Sequence, residues 1–238
     1  MRLVLLVLLG VLWAAPVWAE SLGDRLASYP DWHGKPSTQP SKGDLAYPTW
    51  MEGPWLLRTT QVDQVAPLAP EIVTPGFESN RQFLDRDVDF PIQFVRRGGM
   101  VVSDRAFNGM SIARAYLGDQ ALSVKVDPQN PNRQLTLLKN DRQLESTISD
   151  RAVEEPDGDH FLTSEVFQQV FRTPTGSPYL NQVETTTAYT HQAGQPEIVA
   201  DQVTAIYLSP SDPKYFQAGD RPVAIYRYRL AFLPRTSE

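Results

Sequence analysis

Alternating aspartates form the spacing in this sequence that most resembles a metal site. Residues 85–89 carry aspartate at every second position, as the opening of an EF-hand calcium loop does. That loop needs a glycine where this sequence has Phe90, and a bidentate glutamate where it has Arg96. The two differences favour a solvated start of a strand, with carboxylates paired to Arg81 or Arg86. We therefore predict no metal site here.

Histidines and nucleophile motifs add no catalytic constellation. His33, His160 and His191 lie far apart, and none has a metal-ligand spacing such as H-x-x-x-H. The Gly-x-Ser-x-Gly elbow of serine hydrolases is absent from the sequence. The acidic residues within 154–159 form either a polar hairpin tip or a cation site. The sequence predicts a protein that is not an enzyme, with an enzyme using a carboxylate pair as the weakest alternative.

An arginine pair precedes a double glycine. Arg96 and Arg97 are followed by Gly98 and Gly99, and two successive glycines supply the positive φ angles of a tight hairpin. The hairpin exposes both arginines, either to an anionic partner surface or lipid headgroup, or simply to solvent. They are the candidate residues for docking a partner.

Hydroxyl-bearing residues mark a later predicted strand. If Thr185, Thr187 and Tyr189 face inward, the interior is mixed polar and apolar and suits an amphipathic ligand. The alternative is that threonine is present only because β-branched residues favour strands.

The elements that must position these residues are mostly strands. Gly53-x-Trp55 at the start of the first strand is typical of lipocalin-like barrels. In the last strand, residues 222–233, Tyr226 and Tyr228 share one face, and pairing of this strand with the first would close the sheet. We predict a mainly β fold, an antiparallel up-and-down lipocalin-like β-barrel of about 8 to 10 strands with one short internal helix.

Two segments interrupt the predicted strands. Residues 105–117 form the internal helix, which Ser103 or Asp104 caps and Gly118 ends. Residues 65–77 are too apolar for an ordinary loop, yet their three prolines forbid a central strand. This segment is either a lid over the mouth of the barrel or a cover for an open sheet edge or barrel end.

Composition bounds the domain organisation of the 238-residue chain. Its 41% hydrophobic and 21% charged residues permit a packed core, and its net charge of -6 argues against nucleic acid binding. Cysteine is absent, which excludes disulfides and thiolate metal sites. We predict a signal peptide over residues 1–19 with cleavage after Ala19, the alternative being an uncleaved anchor. A Pro-rich extended leader, residues 20–53, and one β-barrel domain, residues 54–235, follow.

Three stretches resemble an uncharacterised family of thylakoid-lumen proteins of cyanobacteria and plastids. They are Val65-Ala66-Pro67-Leu68-Ala69-Pro70, Val73-Thr74-Pro75-Gly76-Phe77 and Asp104-Arg105-Ala106-Phe107-Asn108-Gly109. The resemblance implies export to the thylakoid lumen or periplasm. The similarity to lipocalins is architectural, and it implies that Arg227 or Arg229 stacks on Trp55.

The predicted function is binding of a small apolar or amphipathic molecule, such as a lipid or pigment, inside the barrel. Five aromatic residues are the candidate ligand-binding residues: Trp50, Trp55, Phe77, Tyr226 and Tyr228. No cofactor is predicted. The alternative is an accessory or assembly factor that docks on a photosynthetic membrane complex through the aromatic leader and the Arg96–Arg97 hairpin.

Overall fold

Antiparallel strands dominate the structure, a computed structural model that describes residues 20–192 and 194–235. The strands are β1 (Gln39–Pro40), β2 (Gly53–Val65), β3 (Asp87–Arg97), β4 (Met100–Ser103), β5 (Ala121–Asp127), β6 (Asn130–Leu138), β7 (Arg142–Glu154), β8 (His160–Arg172), β9 (Tyr179–His191), β10 (Ile198–Leu208) and β11 (Ala224–Pro234). The helices are α1 (Leu22–Ala27), α2 (Phe77–Asn80), α3 (Arg105–Leu117) and α4 (Tyr215–Ala218). The predicted signal peptide lies outside the described residues.

These eleven strands form one antiparallel sheet that curls into a half-barrel. Ten of them follow the order β4-β3-β2-β11-β10-β9-β8-β7-β6-β5, and β1 pairs with β7. The mainly β, up-and-down fold and its predicted internal helix, α3, are confirmed. The predicted pairing of the first long strand with the last is also found, because β2 pairs with β11 from Trp55–Pro234 to Val65–Ile225.

The predicted closure of the sheet into a barrel is not found. Within the described part of the chain, β4 and β5 end the path at opposite edges, and α3 connects them. The helix packs against both β3 and β5, so it covers the open side of the curled sheet. Asn108 fixes it there, because its side chain accepts from the Gln93 backbone N–H at 2.8 Å and donates to the Gln93 carbonyl at 2.9 Å. The helix thus satisfies backbone groups of β3 beyond the end of β4.

A glycine inside α3 lets the helix approach the other edge. A side chain added at Gly109 would lie 2.8 Å from the amide of Gln134 and 3.0 Å from Val124. Glycine within a helix costs about 1 kcal/mol relative to alanine, so its presence here reflects the close contact with β5 and β6.

One end of the lumen, which we call the packed end, is filled with side chains. Its core includes Met51, Trp55, Phe161 and Phe232, all at most 8% exposed. Trp55 donates its indole N–H to the Met51 carbonyl at 2.9 Å, which satisfies the buried polar atom of the ring. Met51 comes from the helical turn just before β2, and the others come from the first half of β2, the start of β8 and the end of β11, so they lie at the same end of the sheet.

The start of the leader forms the short helix α1, which folds onto the outer face of the sheet. Ser21 caps α1 by accepting from the Asp24 N–H at 3.0 Å, and Leu22 and Leu26, four residues apart, are buried. Trp32, 2% exposed, packs with outward residues of β10 and β11. Arg25 inserts beside it and pairs with the fully buried Glu184 of β9.

This cover explains an irregular pattern in β8. Buried and exposed residues do not alternate at the start of this strand. Phe161, Leu162, Thr163 and Ser164 are all buried, because one face meets the packed end and the other lies under the leader. The pairing of β7 with β8 shifts register in β7, between Ile148 and Asp150.

Candidate functional site

The second half of the lumen, which we call the cavity end, is not filled. It holds a cavity of about 550 Å³ between the inner face of the sheet and α3. Strands β2, β7, β8, β9, β10 and β11 supply the wall, and α3 and the segment after α2 supply the remaining sides. Because side chains alternate across a strand, the wall residues lie two apart, as Val183 and Thr185 do in β9.

Half of the sixteen lining residues are polar and half are apolar or aromatic. Gln61, Ser146, Gln169 and Gln202 represent the polar half. The Gln61 amide donates to Gln64 at 2.7 Å, and the Gln202 carbonyl accepts from Thr187 at 3.2 Å, so each keeps its other amide group for the cavity. Within residues 20–192 and 194–235, the side chains of Ser146 and Gln169 make no hydrogen bond to another residue.

Helix α3 forms the side of the cavity opposite the wall. The Tyr116 hydroxyl lies 2.8 Å from the Thr59 hydroxyl of β2, which fastens the helix to the sheet. The Phe83 ring packs edge-on against Tyr116, with 5.2 Å between the ring centroids. Ile112 and Leu117 are 47% and 46% exposed although they line the cavity. The cavity therefore opens to solvent beside α3.

Residues 65–77, predicted as a lid or an end cover, lie over the ends of β10 and β11. Leu68 and Ile72 pack with Leu208, and Phe77 packs on Tyr226 with 5.9 Å between the ring centroids. None of these residues of the segment lines the cavity, which is reached instead by Asn80 and Phe83 just after it. The segment thus covers the end of the sheet, and the helical turns that follow it form part of the cavity.

The titratable groups of the cavity lining are uncharged at neutral pH. Burial raises the pKa of Tyr228 well above its usual value, and nearby Tyr116 and Tyr226 raise it further. Burial also raises the pKa of Tyr116, against the lowering effect of its bond to Thr59. The remaining lining residues have no titratable side chain. The cavity can offer hydrogen bonds and apolar contact, but no ion pair.

The five aromatic residues predicted to bind a ligand are not brought together. Tyr228 lines the cavity. Phe77 and Tyr226 contact each other at the covered end of the sheet, and Trp55 lies in the packed end. Trp50 stacks on His191 with 5.3 Å between the centroids and donates to the Gly158 carbonyl at 3.1 Å, so it holds the leader to the β7–β8 turn.

The charged candidates have partners on the surface. Arg96 pairs with Glu52, and an Arg97 nitrogen lies 3.9 Å from an Asp104 oxygen. The hairpin that joins β3 to β4 has the predicted form, since Gly98 and Gly99 both have positive φ. The predicted stacking of Arg227 on Trp55 is wrong, because β11 directs Arg227 to the outer face, where it pairs with Asp201 and lies over Tyr29.

The alternating aspartates bind an arginine other than the two predicted. Asp89 pairs with Arg58 of the neighbouring strand at 2.8 Å, and Asp87 accepts from Thr60 at 2.6 Å. Arg81 pairs with Glu78 instead. Among the described residues, no group of three or more His, Cys, Asp or Glu side chains is placed to hold a metal ion.

Comparison with known families adds one match. The family described as Domain of unknown function (DUF6816) matches residues 40–236. The chain belongs to this family. The family region contains every residue that lines the cavity, whereas α1 and Arg25 lie before it. Neither the search of curated proteins nor the search of solved structures found a match.

A larger depression of about 930 Å³ lies beside the start of β2 and the second half of β3, but its Glu52 and Arg96 already pair with each other.

No helix among the described residues has the length and hydropathy needed to cross a bilayer.

Most polar residues of the cavity were not predicted from the sequence. Thr185 was predicted on the condition that it faces inward, which it does. No motif marks Gln61, Ser146, Gln169 or Gln202, because a single polar residue in a strand is usually taken to face solvent. A usable signal was their register: each is an even number of residues from an apolar residue on the inner face of the same strand, such as Phe167 before Gln169.

Proposed function

We propose that this DUF6816 protein binds a small amphipathic molecule in the cavity between its curled sheet and α3. The observation that carries the proposal is the cavity itself, whose volume of about 550 Å³ lies within the range of about 300–1,000 Å³ found for small-molecule sites. Its lining of apolar walls with a few polar groups is also typical of such sites.

The packing of the rest of the domain supports this proposal. Protein interiors are close-packed, so an unfilled volume of this size beside a filled core needs a reason. Covering the open side with α3 creates the cavity, and the bond between Tyr116 and Thr59 holds the helix at that distance. Binding of a ligand would give the inner face of α3 and the wall the contacts they lack.

The access beside α3 suits an amphipathic ligand. Ile112 and Leu117 are apolar and nearly half exposed at the opening, and Gln169 and Gln202 are polar and lie on the wall. The apolar part of such a ligand would contact Ile112 and Leu117. Its polar groups would form hydrogen bonds with Gln169 and Gln202. A lipid or pigment fragment has this division, and binding of either requires no catalytic group.

Export to a thylakoid lumen or periplasm is part of the proposal. Residues 1–19 combine Arg2, an apolar run and the small residues before Glu20 that a signal peptidase recognises. The resemblance to lumenal proteins points to the same compartment. The docking alternative has no supporting contact, since Arg96 and Arg97 are paired and Trp32 is buried.

The test uses N-phenyl-1-naphthylamine, an uncharged probe whose fluorescence rises in an apolar site. We expect saturable binding by the wild type, and at least tenfold weaker binding after Gln169→Phe, which places a ring in the cavity. The matched control is Gln168→Phe, because Gln168 is the exposed neighbour on the other face of β8. Absence of probe binding by the wild type, or equal binding by the folded Gln169→Phe protein, would overturn the proposal.

A further inference from the structure

The cavity is free of charged side chains in a protein that has many. None of its sixteen lining residues is Asp, Glu, Lys, Arg or His. By contrast, Asp, Glu, Lys and Arg make up 21% of the chain. Most charges of the same strands are on the other face. Glu165, which shares the inner face of β8 with Phe167, lies outside the cavity lining and is already paired with Arg151 at 2.7 Å and Arg105 at 3.5 Å. Glu145 precedes the lining residue Ser146, and its carboxylate pairs on the outside with Arg133 at 3.1 Å and Arg172 at 3.0 Å.

Strand β9 divides charge in the same way. Val183 and Thr185 line the cavity, and Glu184 between them points to the outer face. There Glu184 is fully buried, and its carboxylate accepts from Arg25 at 2.7 Å, Tyr207 at 3.0 Å and Thr186 at 2.9 Å. The fold therefore supplies a complete set of partners where it buries a charge, and it supplies none in the cavity.

An ionised ligand group in the cavity would lose water without gaining a counter-ion. Removing a charge from water is costly unless it is paired and hydrogen-bonded, and uncharged polar groups compensate only part of that cost. A phosphate, carboxylate or ammonium group is therefore disfavoured at this site relative to an uncharged group of the same size.

The polar groups that are present match hydroxyl and carbonyl groups. A primary amide both donates and accepts, as Gln169 can with its whole side chain. Gln202 retains its N–H₂ donors, Gln61 retains its carbonyl acceptor, and Ser146 can do either. A hydroxyl can bond to any of these four, and a carbonyl or ether oxygen can bond to the donors.

From this arrangement we infer that the cavity selects an electrically neutral amphipathic molecule bearing hydroxyl or carbonyl groups and excludes ionised amphiphiles. The inference rests on the proposed binding function and names the ligand class. Three twelve-carbon compounds that differ only in the head group provide the test: 1-dodecanol, dodecanoate and dodecylammonium. Each competes for the cavity with N-phenyl-1-naphthylamine at pH 8, the two ions below their critical micelle concentrations and dodecanol below its solubility limit.

We expect dodecanol to displace the probe at a concentration at least tenfold lower than either ion requires. Gln169→Lys adds a cation to the wall. It should reduce the preference for dodecanol over dodecanoate by at least tenfold. Gln168→Lys, with the same charge on the outer face of β8, should leave the preference unchanged.

If the wild type binds the probe but dodecanoate or dodecylammonium competes as strongly as dodecanol or more strongly, the inference is overturned. The proposed binding function would still stand. A shift of the preference by Gln168→Lys as large as that by Gln169→Lys would overturn it too, because the effect would then come from the overall charge. A wild type that binds neither the probe nor any of the three compounds would remove the binding function itself, and the inference with it.

Discussion

The two ends of the lumen are built by the same strands and filled in opposite ways. In β8, Phe161 at the packed end is 0% exposed, and Phe167 six residues later lines the cavity on the same face. In β2, Trp55 fills the packed end and Gln61 borders the cavity. The contrast indicates a division of roles, with stability provided at the packed end and the proposed binding at the cavity end.

The physical basis of this division is the size of the inward side chains. Aromatic rings bury large areas, and at the packed end Tyr47, Phe161 and Tyr189 contact one another with centroids 5.6–6.3 Å apart. At the cavity end, seven of the eleven wall residues that the strands supply are threonine, serine or glutamine, which fill less space than aromatic rings. These side chains leave the volume between wall and helix unfilled.

Truncation of one phenylalanine at each end is the strongest test of this comparison. Phe161→Ala should lower the free energy of unfolding by about 3–5 kcal/mol, since it opens a void in a close-packed core. Phe167→Ala should cost about half as much or less, because one side of its ring already faces the cavity. Urea denaturation followed by fluorescence measures both. Equal losses would show that the cavity end is as tightly packed as the other.

The two faces of the sheet also differ, and Arg25 probes that difference. Arg25→Met should destabilise the protein by about 3 kcal/mol, because it leaves the buried carboxylate of Glu184 without its cation. The double variant Arg25→Met/Glu184→Met should recover most of the loss, since apolar residues of similar volume replace buried ion pairs at little cost. Thermal and urea unfolding of the three proteins give the values.

A double variant as unstable as Arg25→Met would contradict this explanation. It would mean that Arg25 acts through its packing under Trp32, which its guanidinium meets at 4.2 Å from the ring centroid, and not through neutralisation of Glu184. The contrast between a charged outer face and a neutral cavity would then lose its energetic basis.

Local signals in the sequence predicted most of the elements. The range Arg105–Leu117 for α3 and its cap at Asp104 are confirmed, as is the hairpin at Gly98 and Gly99, both of which have positive φ. Helix caps, glycine pairs and alternation each depend on residues close together in the chain. Such signals can be read without knowing the tertiary fold.

The closure of the sheet and the site could not be predicted in the same way. Whether α3 plugs an end or spans the open side depends on contacts such as Asn108 with Gln93, fifteen residues away. The aromatic residues drew attention because they bury the most area, yet that property places Trp55 in a filled core. A cavity forms where residues are too small or too polar to fill it, and such residues have no sequence pattern of their own.

The contact between α3 and the wall provides a smaller test. Tyr116→Phe removes the hydroxyl that lies 2.8 Å from Thr59 and should cost about 1 kcal/mol of stability. In a Thr59→Val background the same change should cost less, because the bond is already lost. Urea unfolding of the four proteins measures the coupling. Additive losses would mean that this bond does not hold the helix over the cavity.

The smallest effect concerns the charge that β7 keeps outside the cavity. The hydrogen bond from Arg133, together with Arg172, holds the pKa of the Glu145 carboxyl below its usual value. The resulting stability is present above the unfolded-state pKa of about 4.3 and is lost as the pH falls through the folded-state value. Glu145→Gln should therefore cost about 0.5 kcal/mol at pH 7, as surface ion pairs do, and almost nothing near pH 2. Urea midpoints at the two pH values measure the difference. An equal loss at both would show that Glu145 contributes through packing on the outer face, and the separation of charge between the faces of β7 would then have no electrostatic contribution to stability.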